Sequence, residues 1–138
     1  MKPILRSLLA AGAGSLLLST AAVAHHSFAA AYDTSEAGAI TITGTIVNVR
    51  LTNPHSFFFL DVEGDNGETV RWEFEAGTPS AMIRNGYSPK IIQQGAEVTI
   101  TGFRARDASK ASGMLRQLTT ADGTVFGMFG PQEGPATR

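Results

Sequence analysis

The sequence predicts an all-β protein, a small five-stranded barrel with one short helix between its third and fourth strands. Three observations predict it. After residue 38, apolar residues alternate with threonine or charged residues, the period of a half-buried strand and not of a helix. Clusters of Gly, Asn, Asp and Pro interrupt these runs at hairpin-like intervals. Thr78 to Gly86 carries both a helix start and a helix stop, the clearest such segment in the chain.

Residues 1–24 read as a secretory signal. Lys2 and Arg6 form a positive start, Leu8 to Leu18 an apolar core, and Ala22-Val23-Ala24 a small-residue cleavage site. The apolar core is shorter than the roughly 20 residues a bilayer span needs, so no membrane span is expected after cleavage. The chain has no cysteine, hence neither a lipid attachment site nor a disulfide framework. A periplasmic or secreted protein held together by its core alone is the expectation.

Removing the signal takes two of the 11 basic residues and none of the 12 acidic ones, leaving 9 against 12 and a net charge of −3. With only Arg104 and Arg106 close together, that balance argues against nucleic acid as a partner. The remaining length suits one domain with one core.

Residues 25–38 are small and polar and read as an extended amino-terminal arm, and residues 39–129 as the β domain. From Ala39 to Leu51 the alternation changes phase: Ile40, Ile42, Gly44 and Ile46 share one parity, Val47, Val49 and Leu51 the other. One extra residue near Gly44 to Ile46, in a long strand bending around a barrel, produces that slip. Asn53-Pro54 ends the strand.

The second strand is expected from about His55 to Glu63 and the third from about Glu68 to Glu75. A three-residue loop, Asp65-Asn66-Gly67, with Gly67 supplying a positive φ, sets the register. It places Asp61 opposite Arg71, Phe59 opposite Glu73 and Phe57 opposite Glu75, with His55 diagonal to Glu75 on the same outer face. Phe58, Leu60, Val62, Val70, Trp72 and Phe74 then face the core.

Thr78 is the expected N-cap of the helix, Pro79 its first residue and Gly86 its stop. Ser88-Pro89 followed by Gly95 suggests a second helical turn. The fourth strand runs from about Glu97 to Arg104 with Val98, Ile100 and Gly102 inward. A fifth begins near Met114, and Ala121-Asp122-Gly123 offers a turn back into Val125 to Phe129. Residues 130–138 are rich in Pro and Gly and read as a loose tail. Three strands, a helical linker and two more strands, led by a long bent strand, is the order of an OB-type barrel.

The chain resembles a family of small exported bacterial proteins catalogued as domain of unknown function 6152. The resemblance rests on His25-His26-Ser27-Phe28 after the signal, Asn53-Pro54-His55, Trp72-Glu73-Phe74-Glu75, Thr78-Pro79-Ser80-Ala81 with Arg84 and Gly86, and Gly95 through Ala105. It implies export and a small β-rich domain and brings no activity with it.

Function therefore has to be read from residues. Cleavage after Ala24 leaves His25 first in the chain, where α-amine and imidazole together can close a chelate ring on a metal. His26 follows it, and His55 and Glu75 share the outer face. His25, His26, His55 and Glu75 are thus a candidate metal site; nitrogen ligands of this kind suit copper and suit zinc almost as well. Against this stands a plain structural reading, in which the terminal histidines sit in solvent and His55 only bonds the backbone.

A second reading needs no metal. Phe57 and Phe59 with Arg71 and Glu73, on the outer face of strands two and three, could hold a small ligand or a periplasmic protein. Burial of both rings under the arm is the competing expectation. No catalytic residues are assigned: no serine has nucleophile-elbow context, no Gly-rich loop suits a phosphate, and Glu73 and Glu75, about 7 Å apart on one strand face, are an ordinary solvated pattern.

Export makes a measurable claim. The intact mass of the exported protein is expected to correspond to a chain that starts at His25; a product starting at Val23 would place His25 third and change its donor set.

Overall fold

Threonine and β-branched residues in long alternation form six strands in the computed structural model, which describes residues 29–127. They are β1 (Ala39–Arg50), β2 (Phe57–Glu63), β3 (Thr69–Glu75), β4 (Glu97–Arg104), β5 (Ser112–Thr120) and β6 (Val125–Gly127), with one helix, α1 (Pro79–Arg84), between β3 and β4. The chain divides into two units, Met1–Ala31 and Tyr32–Arg138. Of the first, Ala29–Ala31 are described and are helical. The extended arm expected there gives way to a turn of helix over three alanines, the residue with the highest helix propensity. The second unit carries the sheet.

β1 pairs on one side with β4 and on the other with β2; β2 pairs with β3, β3 with β5, and β5 with β4. The pairing therefore closes a ring of five strands. All its contacts are antiparallel except the short parallel one, Glu73–Glu75 against Ser112–Met114. β6 lies outside the ring, folded back on β5 through a turn in which Gly123 has φ +87°.

The β2–β3 hairpin has the register its sequence implies: Asp61 faces Arg71, Phe59 faces Glu73 and Phe57 faces Glu75. Gly67 at φ +78° supplies the conformation that an L side chain resists. The phase slip in β1 is a bulge at Val47, since Ile46 pairs with Leu60 while Asn48 pairs with Phe59. It falls one residue beyond the expected stretch.

Alternation turns Ile46, Phe58, Leu60, Phe74, Val98, Ile100, Leu115 and Leu118 into a wholly buried core. A fully buried side chain of this size contributes on the order of 1.5–3 kcal/mol of transfer free energy, and with no cysteine in the chain this burial must carry the fold. The linker between β3 and β4 adds Met82, Tyr87 and Ile92. α1 begins as expected, with Thr78 Oγ1 accepting from Ala81 N at 3.2 Å and Pro79 at its first position, and stops at Gly86 (φ +92°). After it, the Ile91 and Ile92 amides both donate to Ser88 O. That is one closed turn, without the further hydrogen bonds that would extend it into a second helix.

A second bulge lies on β5. Thr101 pairs with Gln117, but Gly102 pairs with Leu115, so Arg116 is the extra residue. The close approach of β5 depends on Gly102: a Cβ there would lie 2.0 Å from Met114 O. Gly102→Ala is expected to destabilise the protein by about 1–3 kcal/mol, read as a lower urea midpoint. An unchanged midpoint would mean that β5 moves freely against β4.

Candidate functional site

Around the ring, the residues that do not face the core form an outer surface, and its β1–β2–β3 sector follows from the registers. Arg50, Phe57 and Glu75 form one row across the three strands, and Asn48, Phe59 and Glu73 the next. The β2–β3 ladder continues one step past the strands, with Ala76 N donating to Ser56 O and Ser56 N to Gly77 O. This extension brings His55, the residue before it, alongside Glu75. The turn ahead of it holds a cis Asn53–Pro54 peptide, and Thr52 Oγ1 donates to His55 O at 2.8 Å.

His55 Nδ1 meets Glu75 Oε1. The other oxygen, Glu75 Oε2, accepts from the Tyr32 hydroxyl at 2.5 Å. Tyr32 reaches it from the segment before β1, where its backbone bridges to Ala105 and Asp33 N donates to Arg104 O. A short 3-10 turn at Glu36–Gly38 then leads into β1. The Glu75 side chain is 18% exposed and that of His55 35%. A carboxylate so far withdrawn from water needs donors on both oxygens, and it has them.

Burial pushes the Tyr32 phenol far above its ordinary range, and the hydrogen bond to Glu75 and the charges of Glu75 and Glu73 act in the same direction. Each of these favours the neutral phenol over phenolate. On His55, the contact assigns the proton to Nδ1, so that in the neutral ring the lone pair lies on Nε2. The cluster can therefore orient an imidazole and fix its tautomer.

The second candidate set is distributed differently. Arg71 closes a two-point contact with Asp61, Nε to Oδ1 at 2.5 Å and a terminal nitrogen to Oδ2 at 3.2 Å. Phe57 and Phe59 are half-buried, and the guanidinium of Arg50 lies over both rings, 4.6 Å and 5.4 Å from their centroids. Glu73 stands opposite Phe59, and its amide donates to Ala111 O. The group over the rings is Arg50 of β1, where the amino-terminal arm was expected; residues 25–28 of that arm lie outside the described residues. The signal for Arg50 was the β1 bulge: once the phase slips, Arg50 falls opposite Phe57.

His25 and His26 lie outside the described residues. Among the described residues, no three His, Asp or Glu side chains converge into a group that could hold a metal ion, and no helix is long and apolar enough to cross a membrane. Tyr32, expected only as part of an arm folding over the second and third strands, is the other member of the site; its partner is 43 positions away in the chain.

Comparison with protein families matches residues 14–115 to DUF6152, a family of unknown function. The chain belongs to that family. The span shared with DUF6152 includes the whole Tyr32–Glu75–His55 cluster and ends at Leu115, one residue before the β5 bulge. Comparisons with curated proteins and with solved structures return no match.

The raised Tyr32 phenol links the cluster to stability. The folded protein keeps that proton where the unfolded chain gives it up, from about pH 10 upward. Its contribution is therefore complete below that point and is lost as pH rises further. Tyr87, raised by burial alone, behaves alike. Tyrosinate absorbance of the folded protein should rise at higher pH than in denaturant, and Tyr32→Phe should remove part of the alkaline loss of stability while costing about 1–3 kcal/mol at neutral pH. A folded protein that forms tyrosinate in the ordinary range would show that the phenol is not held by Glu75.

Proposed function

We propose that this is an exported protein with an OB-like barrel that binds a transition-metal ion, copper or zinc, using His55 together with the histidine at its mature amino terminus. The observation that carries the reading is the contact between His55 Nδ1 and Glu75, itself braced by Tyr32. Histidines that ligate metals commonly donate their second ring N–H to a carboxylate, which fixes the tautomer and raises the basicity of the ligating nitrogen. In this reading His55 offers Nε2, and Glu75 acts as its positioning residue, since both carboxylate oxygens are already engaged. His25 contributes its α-amine and ring, and His26 a further imidazole. A bound copper or zinc ion would supply Lewis acidity, and in the case of copper one-electron chemistry.

Support for the OB-like reading is the order of pairing around the ring, β1–β2–β3–β5–β4 and back to β1, with a parallel β3–β5 contact and a helix between β3 and β4. Support for export is the signal-like composition of residues 1–24. A metal-free module that binds a small ligand or a periplasmic protein on Phe57, Phe59, Arg71 and Glu73 has less behind it. Arg71 is committed to Asp61, and Arg50 covers both rings.

Calorimetric titration of the chain starting at His25 with Cu(II) and Zn(II) tests the proposal. One ion per chain is expected, with Glu75→Gln weakening binding about 10–100-fold and His55→Ala weakening it at least as much. An extra residue ahead of His25 should also weaken it by removing the chelating amine. If His55→Ala, folded by circular dichroism, binds both ions as the unaltered chain does, the metal reading falls.

A further inference from the structure

The outer face of β1, β4 and β5 carries a trough of about 320 Å³ that shares no residue with the Tyr32–Glu75–His55 cluster. Thr41, Thr101, Phe103, Arg116 and Gln117 supply its polar and aromatic lining. The register explains why these groups meet. Thr41 faces Thr101 across β1 and β4, and Thr101 faces Gln117 across β4 and β5, so two hydroxyls and an amide stand in one row.

Arg116 joins them because of the β5 bulge. It is the unpaired extra residue between Leu115 and Gln117, and a bulge bends its strand and re-aims the side chain it carries. Its guanidinium lies 5.5 Å from the centroid of the Phe103 ring. That contact holds the cation against the wall of the trough and leaves the edge of its planar fork for a ligand.

The electrostatics are one-sided. No aspartate or glutamate lines the trough. Among the described residues the ion pairs are His55–Glu75, Arg71–Asp61 and Lys110–Asp107, and Arg116 belongs to none of them. Arg116 is thus a cation held on an aromatic ring beside hydroxyls, with no carboxylate in the lining to neutralise it.

We propose that this trough is a binding site for a small hydroxylated carboxylate, of the size and chemistry of a sugar acid. The carboxylate pairs with the Arg116 fork, the C–H face of the ligand lies on Phe103, and its hydroxyls exchange hydrogen bonds with Thr41, Thr101 and Gln117. One guanidinium matches one carboxylate in charge and in fork geometry, and the lining holds no second cation to balance a dianion. The volume sits at the lower end of the range of about 300–1,000 Å³ for ligand pockets, which fits a single ring.

Heteronuclear NMR titration of the mature protein with D-glucuronate, D-glucose and acetate tests the site. Glucuronate is expected to shift the amides of Thr41, Thr101, Phe103 and Gln117 and to bind at least about tenfold more tightly than glucose or acetate, the loss expected for a missing charged hydrogen bond or missing hydroxyl contacts. Arg116→Gln, at an exposed position and checked for folding by its amide spectrum, should weaken glucuronate about tenfold or more and leave glucose unchanged. Thr101→Val should weaken glucuronate and leave acetate unchanged. His55→Ala should leave all three unaffected, which separates this site from the metal reading. Glucuronate no tighter than glucose, or unaltered by Arg116→Gln, overturns the proposal.

Discussion

One extra residue in β1 is the constraint on which the rest of the structure depends. β1 serves two partners in succession, β4 along Ala39–Thr45 and β2 along Thr45–Arg50, and Thr45 belongs to both ladders. A strand of strict alternation can satisfy one inner face only while its direction holds; as it bends toward a second partner, the side that faces the interior must be reset. The bulge at Val47 does this. It sends Ile46, opposite Leu60, and Val49, opposite Phe58, to the same interior although their numbers differ in parity. Without it the register set by Ile46 and Leu60 would continue to Asn48 opposite Phe58 and Arg50 opposite Ser56, turning both polar side chains inward, the inversion that a one-residue slip imposes.

The outer chemistry is a consequence of that inner choice. Once Phe58 and Phe74 are fixed inward, Phe57 and Glu75 must point outward and face one another. Glu75 then lies where the segment before β1 crosses, and a carboxylate with little access to water requires partners there. His55 and Tyr32 are those partners, one from each side. The three groups form a unit in which each holds the others: removal of either donor leaves a half-satisfied carboxylate, and removal of the carboxylate leaves a phenol and an imidazole facing the same gap. Such units respond to deletion by more than the sum of their parts.

Much of this was legible in the sequence because it is local. Asp65-Asn66-Gly67 encodes a turn, the turn encodes a register, and the register places His55 diagonal to Glu75; no step spans more than one hairpin. The capping of α1 by Thr78, Pro79 and Gly86 is local in the same sense. What escaped depends on contacts between distant segments. The parallel β3–β5 contact, the bridge of Tyr32 to Ala105 and the hydroxyl on Glu75 join residues with no shared periodicity. The stacking of Arg50 on Phe57 and Phe59 needed the bulge to be placed at Val47, where the phase slip alone left a window ending at Ile46. The bulge at Arg116 does leave a trace, since Arg116 and Gln117 are two polar residues in succession between the buried Leu115 and Leu118, but it breaks a strand too apolar at Met114 and Leu115 to show a clear alternation beforehand.

The two bulges also set apart two sectors of the outer surface. On the β2–β3 side lie Asp61, Glu73 and Glu75, with Arg71 matched to Asp61 and Arg50 laid on phenylalanines. On the β1–β4–β5 side the outward positions include Thr41, Thr43, Thr99, Thr101, Gln117 and Thr119, with Glu97 at the start of β4 and Arg116 added by the second bulge. The first sector carries an imidazole oriented by a carboxylate; the second is mainly a hydroxyl surface with one arginine set on an aromatic ring. A bulge that only corrected strand twist would not need to present its extra side chain on an aromatic ring. That Arg116 is held there by Phe103, across from paired hydroxyls, is the reason to regard the second bulge as part of a binding surface as well as part of the ring's closure.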